Sequence, residues 1–220
     1  EATMVVSDLA DGDLFAWASA CEHLPGPARE ASARPLVRQL LDAVRWLHDL
    51  SIVHRDVSME NILVTRSSVG GPPRLQLIDF GMASTSRYSR DGAQHGKQSY
   101  RAPEVHTGKE CDGFLTDAFA VGVTLYAMLL REYPWTTTQP GCCKAFSFVH
   151  KHGFCAFMER RKLWGGTPAL RRMTQAFFNL LSGLMSLDPA QRLTLGEHTK
   201  FEGFRRKSVW QEPWLFADHS

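Results

Sequence analysis

The sequence has no run of about 18 uninterrupted apolar residues, roughly what a helix needs to cross a bilayer. Its first residues carry neither a basic region nor a cleavable hydrophobic core, so neither membrane insertion nor secretion is expected. An excess of one charge is also missing: 25 basic against 23 acidic residues leave a formal net charge of +2. Without a basic stripe, a nucleic-acid partner is not expected. Cysteines number five, an odd count, and the adjacent Cys142 and Cys143 lack the C-x-x-C spacing of a zinc site. They read as reduced thiols of a cytoplasmic or nuclear protein. No internal repeat and no long linker divides the chain. What is present is a hydrophobic content of 44% over 220 residues, enough for one core.

Residues 3–6 are β-prone and 7–12 are turn-rich, which predicts a strand, a connector and then a helix over 13–20 that the prolines at 25–27 break. Over 33–50, Leu36, Val37, Leu40, Leu41, Val44 and Leu47 recur at the spacing of one helical face. Short β-prone pieces follow at 52–53, 62–64 and 75–78, with polar or glycine- and proline-rich segments between them. Residues 82–96 are rich in serine and have no apolar period, so a long mobile loop is expected there. The almost wholly apolar run at 116–130 predicts a helix buried on every side. A further helix is expected over 170–187, ended by Asp188-Pro189.

Charged motifs sit between the short strands, where loops on a rigid frame carry chemistry. His54-Arg55-Asp56-Val57-Ser58-Met59-Glu60-Asn61 follows the first, Asp79-Phe80-Gly81 follows the third, and Ala102-Pro103-Glu104 closes the serine-rich loop. In this order and spacing the three motifs resemble those of the eukaryotic-type protein kinase family. The chemistry accounts for the residue types. Moving a γ-phosphoryl group needs an in-line hydroxyl, a carboxylate to orient it and take its proton, and Mg²⁺ against the developing charge. The resemblance implies ATP and Mg²⁺ as cofactors, Asp56 as the catalytic base, and Asn61 and Asp79 as oxygen donors to the metal. Taken singly, each of these residues could equally cap a turn.

The same resemblance implies an α+β, protein kinase-like fold, of which this chain supplies the hinge and the mainly α-helical C-terminal lobe. The catalytic domain is expected over residues 1–216, with a tail at 217–220. Val6 would be the gatekeeper, Ser7 and Leu9 the hinge positions that bond the adenine, Asp13 the ribose-facing acid and Leu63 the adenine floor; Glu60, beside Asn61, is grouped with these nucleotide-binding residues. Leu63 also reads as an ordinary core leucine. Asp117 resembles the family's brace for the catalytic loop, and Glu104 and Arg192 resemble its ion pair between a loop end and a late helix.

Two positions depart from the pattern. Serine/threonine kinases of this family usually carry Lys where Ser58 stands, and Thr where Lys97 follows Gly96. Lys97 is expected to supply the charge that Ser58 cannot, so Ser58 and Lys97 join Asp56 as candidate catalytic residues; a solvated loop lysine is the bland reading. Glu60 and residues 96–104 resemble the serine/threonine branch, which implies Ser/Thr hydroxyls of protein substrates. Arg55 resembles kinases whose loop is ordered by a phosphate. The acceptors for an upstream kinase would lie at Ser84, Thr85, Ser86, Tyr88 and Ser89; Ala93 aligns with the usual position and cannot be modified, so a neighbouring serine serves, Asp91 stands in for a phosphate, or the switch is absent.

No glycine-rich phosphate loop, strand lysine or partner glutamate precedes Glu1, and the chain does not open on methionine. A small lobe supplied in cis is therefore expected, and this piece alone is expected to be inactive. A pseudokinase scaffold that binds partners is the alternative reading. A small-molecule phosphotransferase fits Ala102-Pro103-Glu104 and Arg192 poorly. Residues 136–143 and 146–164 could meet substrates or regulators, or form an ordinary packed surface.

Overall fold

The computed structural model describes residues 9–66, 70–90, 95–163, 165–197 and 206–217. The strand expected at 3–6, together with Val6, Ser7, Asp91, Ala93, Trp164 and positions 218–220 of the tail, lies outside them. The rest is mixed α and β.

A three-stranded antiparallel sheet, β1 (Gly12–Asp13), β2 (Ile62–Thr65) and β3 (Arg74–Leu77), sets Asp13 opposite Leu63 and Leu63 opposite Gln76. Helix α1 (Leu14–Ala20) starts where Asp13 takes the Ala16 N–H at 2.7 Å, a side-chain cap for a donor the helix cannot satisfy itself. At seven residues it depends on tertiary packing, which Leu14 and Ala18 provide.

Helix α2 (Pro27–Asp49) begins six residues before the periodic stretch that predicted it. Pro27 occupies its first turn, where a missing N–H breaks no bond and the fixed φ already suits a helix. Arg29, fully buried, then ties this early turn down by donating to the carbonyls of Ala18, His23 and Met128 at 2.6–3.0 Å. The predicted face of Leu36, Val37, Leu40, Leu41, Val44 and Leu47 is buried.

That face meets α3 (Gly113–Leu130), in which every residue from Asp117 to Leu130 is buried. By length and composition α3 would span a membrane, but 94% of it is covered by protein, so it is the core helix of the lobe. Gly122 lets the next layer in: a Cβ there would come within 2.7 Å of Met185 and 3.0 Å of Leu184. This layer is α6 (Gln175–Leu184), shorter than the helix expected over 170–187. The buried carboxylate of Glu30 accepts both the N–H (2.7 Å) and the hydroxyl (2.6 Å) of Thr174. That contact turns the backbone out of the helical path, so Thr174 becomes the cap and residues 169–172 form a separate 3₁₀ turn.

Two further corrections concern the loops. Residues 82–96 are not loop throughout: β4 (Tyr88–Ser89) pairs antiparallel with β5 (Cys111–Asp112), and Arg87 grips Asp112 with two bonds of 2.7 and 2.9 Å. Residues 52–53 form no strand, only a bridge from Val53 to Ser84. The 146–164 region holds α4 (Lys144–His152) and α5 (Phe154–Arg160), which seat Phe146 and Phe157 against Trp135.

Candidate active site

The site is anchored from beneath by α3. Asp117, 1% exposed, accepts the backbone N–H of His54 at 2.8 Å and of Arg55 at 2.9 Å. His48 Nε2 lies 3.1 Å from the same carboxylate. Three partners offset the cost of placing a charge in so apolar a helix. Arg55 leaves this clamp with φ +68°, a left-handed backbone that is costly for a side-chain-bearing residue. Asp79 shares that conformation at φ +64°. Strain of this kind persists only where surrounding contacts impose it, and here it brackets the two motif aspartates.

Asn61 locks the loop from above. Its Nδ2 donates to the Asp56 carbonyl at 2.9 Å and to Asp56 Oδ2 at 2.8 Å, which leaves its own Oδ1 as an acceptor. The second carboxylate oxygen, Asp56 Oδ1, is buried and has no hydrogen-bond partner among the described residues. Gly96, at φ +71°, keeps the space beside it open: a Cβ there would come within 3.1 Å of Asp56 Oδ1 and 2.6 Å of the Arg55 carbonyl. Tyr100 joins the two segments, its hydroxyl accepting the Met59 N–H at 3.3 Å while bonded to the Tyr133 hydroxyl at 2.9 Å.

Lys97 reaches across the loop. Its Nζ donates to Ser58 Oγ and to Glu60 Oε2, both at 2.8 Å. Burial opposes ionisation of Glu60, but the hydrogen bond and charge of Lys97 outweigh it and hold the carboxyl below its usual range. Asp56, Gly96 and Lys97 line one cavity with Arg55, His95 and Arg101.

Asp79 follows directly, because the Ile78 N–H donates to the Asn61 carbonyl at 2.9 Å. Its carboxylate is exposed and accepts the Gly81 N–H at 3.2 Å. Among the described residues no three His, Cys, Asp or Glu side chains gather into a metal site of their own. Asn61 Oδ1 and the Asp79 carboxylate are nevertheless the hard oxygen donors Mg²⁺ prefers, and they fit a cation completed by phosphate oxygens.

The structure thus gathers Asp56, Ser58, Glu60, Asn61 and Lys97 around one loop and brings Asp79 beside it. It pairs Asp13 with Leu63 across the sheet, both half-buried, with Asp13 also serving as a helix cap. Leu9 is 95% exposed.

Sequence reasoning missed His48 and Glu197. His48 is fully buried on α2, stacked on Phe114 with centroids 4.1 Å apart. It sits between Asp117 on one side and Glu197, 3.8 Å from its Nδ1, on the other. The available signal was one histidine on an otherwise apolar helix face. Burial disfavours the imidazolium, yet Asp117 and Glu197 outweigh it and raise the pKa of His48 above 6.5. A folded-state pKa above the unfolded one stabilises most below about pH 6.5 and loses its effect as pH rises through the folded value. The stability advantage of wild type over His48→Gln, measured by urea unfolding from pH 5.5 to 9, is therefore expected to be largest at the acid end and to shrink upward. An advantage that grows with pH would contradict the charged imidazole.

With this geometry in hand, likeness to known proteins can be placed on it. The protein kinase domain family matches residues 1–214. Serine/threonine-protein kinase SAPK3 of Oryza sativa subsp. indica is 31% identical over 202 residues, covering 91% of this chain and 56% of that protein. SAPK5 of Oryza sativa subsp. japonica is 34% identical over 195 residues (88% and 48%), and SRK2C of Arabidopsis thaliana is 32% identical over 201 (88% and 52%). The chain spans about half the length of these relatives. Its buried aspartate clamp, its Asp56–Asn61 lock and the family match over nearly all its length agree, and the chain belongs to the protein kinase family.

Proposed function

We propose that the protein carrying this chain transfers the γ-phosphate of ATP to Ser or Thr hydroxyls of protein substrates. The observation that carries the reading is Asp56 Oδ1: a buried carboxylate oxygen, unpartnered among the described residues, aimed by Asn61 and kept clear by Gly96. Such an oxygen can orient a hydroxyl and take its proton. Asn61 Oδ1 and Asp79 would hold Mg²⁺, which when bound neutralises charge on the phosphates. Asp13 and Leu63 would face the ribose and adenine, with Val6, Ser7 and Leu9 completing that side. The names of the relatives support Ser/Thr hydroxyls as acceptors.

The reading extends to a catalytic domain over 1–216, completed by a small lobe of the same polypeptide; the relatives' roughly twofold greater length supports this. It extends also to a signalling role in the cytoplasm and to loop phosphorylation by an upstream kinase. Ser89 is the acceptor best supported, because it lines the cavity that holds Arg55, His95 and Arg101.

The test is phosphate transfer from labelled ATP by the full-length protein to mixed peptides containing Ser, Thr or Tyr, with Mg²⁺ present and then chelated. Label on Ser or Thr that disappears on chelation is expected. Folded protein giving no transfer with Mg²⁺ would sink the reading, and label confined to Tyr would overturn its acceptor class.

A further inference from the structure

The loop between Asp56 and Asn61 reads Val57, Ser58, Met59, Glu60 and holds no cation. Yet a phosphoryl group in transit spreads negative charge over its oxygens, and positive charge placed beside it is a large part of what a protein contributes to the rate. The ammonium that approaches this loop comes from another segment. Lys97 Nζ is held 2.8 Å from Ser58 Oγ and 2.8 Å from Glu60 Oε2.

The other cations lining the same cavity are engaged differently. Arg101 turns its guanidinium onto the carbonyls of His95 and Gly96 at 2.8–3.1 Å. Arg55 reaches the His95 ring at 3.3 Å. Lys97 differs in bonding the side chains of the Asp56–Asn61 loop itself, and it keeps a donor to spare. An ammonium has three donors; Ser58 and Glu60 take two, and the third meets no acceptor among the described residues.

Its position is also fixed. Ser58 is fully buried, so its hydroxyl is an anchor and not a passing surface contact. Gly96, the residue immediately before Lys97, packs its backbone against the Arg55 carbonyl and the Asp56 carboxylate. Tyr100, whose N–H donates to the Lys97 carbonyl at 3.0 Å, is bonded through its hydroxyl to Met59 in the same loop. Lys97 is thereby tied to the base by its backbone and to the loop by its side chain.

We infer that Lys97 is a catalytic residue, its ammonium held by Ser58 and Glu60 beside Asp56 so that the third N–H meets the phosphoryl group in transit. The inference rests on the kinase reading above. In the step, the substrate hydroxyl oxygen bonds to the γ-phosphorus and the bond from that phosphorus to the β,γ-bridging oxygen breaks, its electron pair leaving with ADP. The hydroxyl proton goes to Asp56 Oδ1. Lys97 keeps its own protons and stabilises charge.

The experiment compares full-length wild type with Lys97→Met, with the exchange variant Ser58→Lys/Lys97→Ser, and with Lys97→Arg, reading kcat, KM for ATP and unfolding temperature. Loss of one such donor typically costs about a hundredfold to a thousandfold in kcat, so Lys97→Met is expected to lose about a hundredfold or more, mainly in kcat. The Lys97 ion pair is half exposed, and pairs of that kind contribute little to stability, so the unfolding temperature should hardly move. The exchange variant, which returns an ammonium to the same contact from the opposite side, is expected to regain part of the rate. A Lys97→Met enzyme within about threefold of an active wild type, or one impaired in KM alone, overturns the role of Lys97 and leaves the kinase reading standing. Inactive wild type overturns both. If Lys97→Met does not fold, Lys97→Arg against Lys97→Gln decides: equal rates in the two overturn the role, and a rate kept only by Arg upholds it.

Discussion

Asp56→Asn is expected to lower phosphate transfer by at least about a hundredfold while leaving the unfolding temperature almost unchanged. The size follows from the chemistry, since a positioned general base is typically worth 10²–10⁴ in rate. Retention of the fold follows from the geometry. Asparagine has the shape of aspartate, and its carbonyl oxygen can still accept the 2.8 Å bond from Asn61 Nδ2. Its amino group then falls where Oδ1 was, beside Gly96, with no bond to lose among the described residues. What disappears is the ability to accept a proton. Transfer within about threefold of wild type would show that the hydroxyl proton does not pass to Asp56.

The Asp56 loop was legible because its chemistry is written in consecutive residues. Asp56 and Asn61 lie five positions apart, and the bonds between them run from one end of a short turn to the other. The clamp from Asp117 was legible because a lone charge in an apolar helix needs partners, and the Arg192–Glu104 pair only through the resemblance to the kinase family. The core helices were visible as an apolar period in α2 and an almost wholly apolar run in α3, and their boundaries were not. Pro27 reads as a breaker in sequence because a proline inside a helix loses a bond, whereas at the first turn nothing is lost. The late start of α6 depends on Glu30, 144 positions from Thr174, and no local pattern carries that. The pairing of β4 with β5 joins two residues to two others across a gap of about twenty, too short for a period to form. The contact of Lys97 with Ser58 and Glu60 was half legible. The departure at both positions suggested that they compensate for one another, but the part played by Glu60 depends on a side chain 37 residues away.

The second large effect concerns stability. Arg192→Met is expected to cost about 3–5 kcal/mol, because it strands the partner of a buried ion pair. For a domain of this size each kcal/mol is worth about 2–4 °C, so the unfolding temperature should fall by roughly 10 °C. Arg192 has no exposed side-chain surface, and Glu104 is 13% exposed. The guanidinium meets both carboxylate oxygens of Glu104 and donates to the carbonyls of Leu115 at 2.8 Å and Ser186 at 3.0 Å, its carbon lying 5.0 Å from the centre of the Phe119 ring. Methionine fills much of the volume and packs on Phe119, but it strips the Glu104 carboxylate of its guanidinium and removes the bonds to the Leu115 and Ser186 carbonyls. Arg192→Lys should recover only part, since a single ammonium cannot reach the carboxylate and both carbonyls at once. Adding Glu104→Gln to Arg192→Met should restore more than Lys does, because the largest part of the loss is the uncompensated carboxylate and the amide removes its charge. The pair also bears on the site. Glu104 ends the segment that begins at Gly96 and Lys97, and Arg192 bonds that end to Leu115, two residues before the Asp117 clamp. A fall of less than about 2 °C in Arg192→Met would mean that this segment is held by its tyrosine contacts at Met59 and Tyr133, and that the ion pair adds little to them.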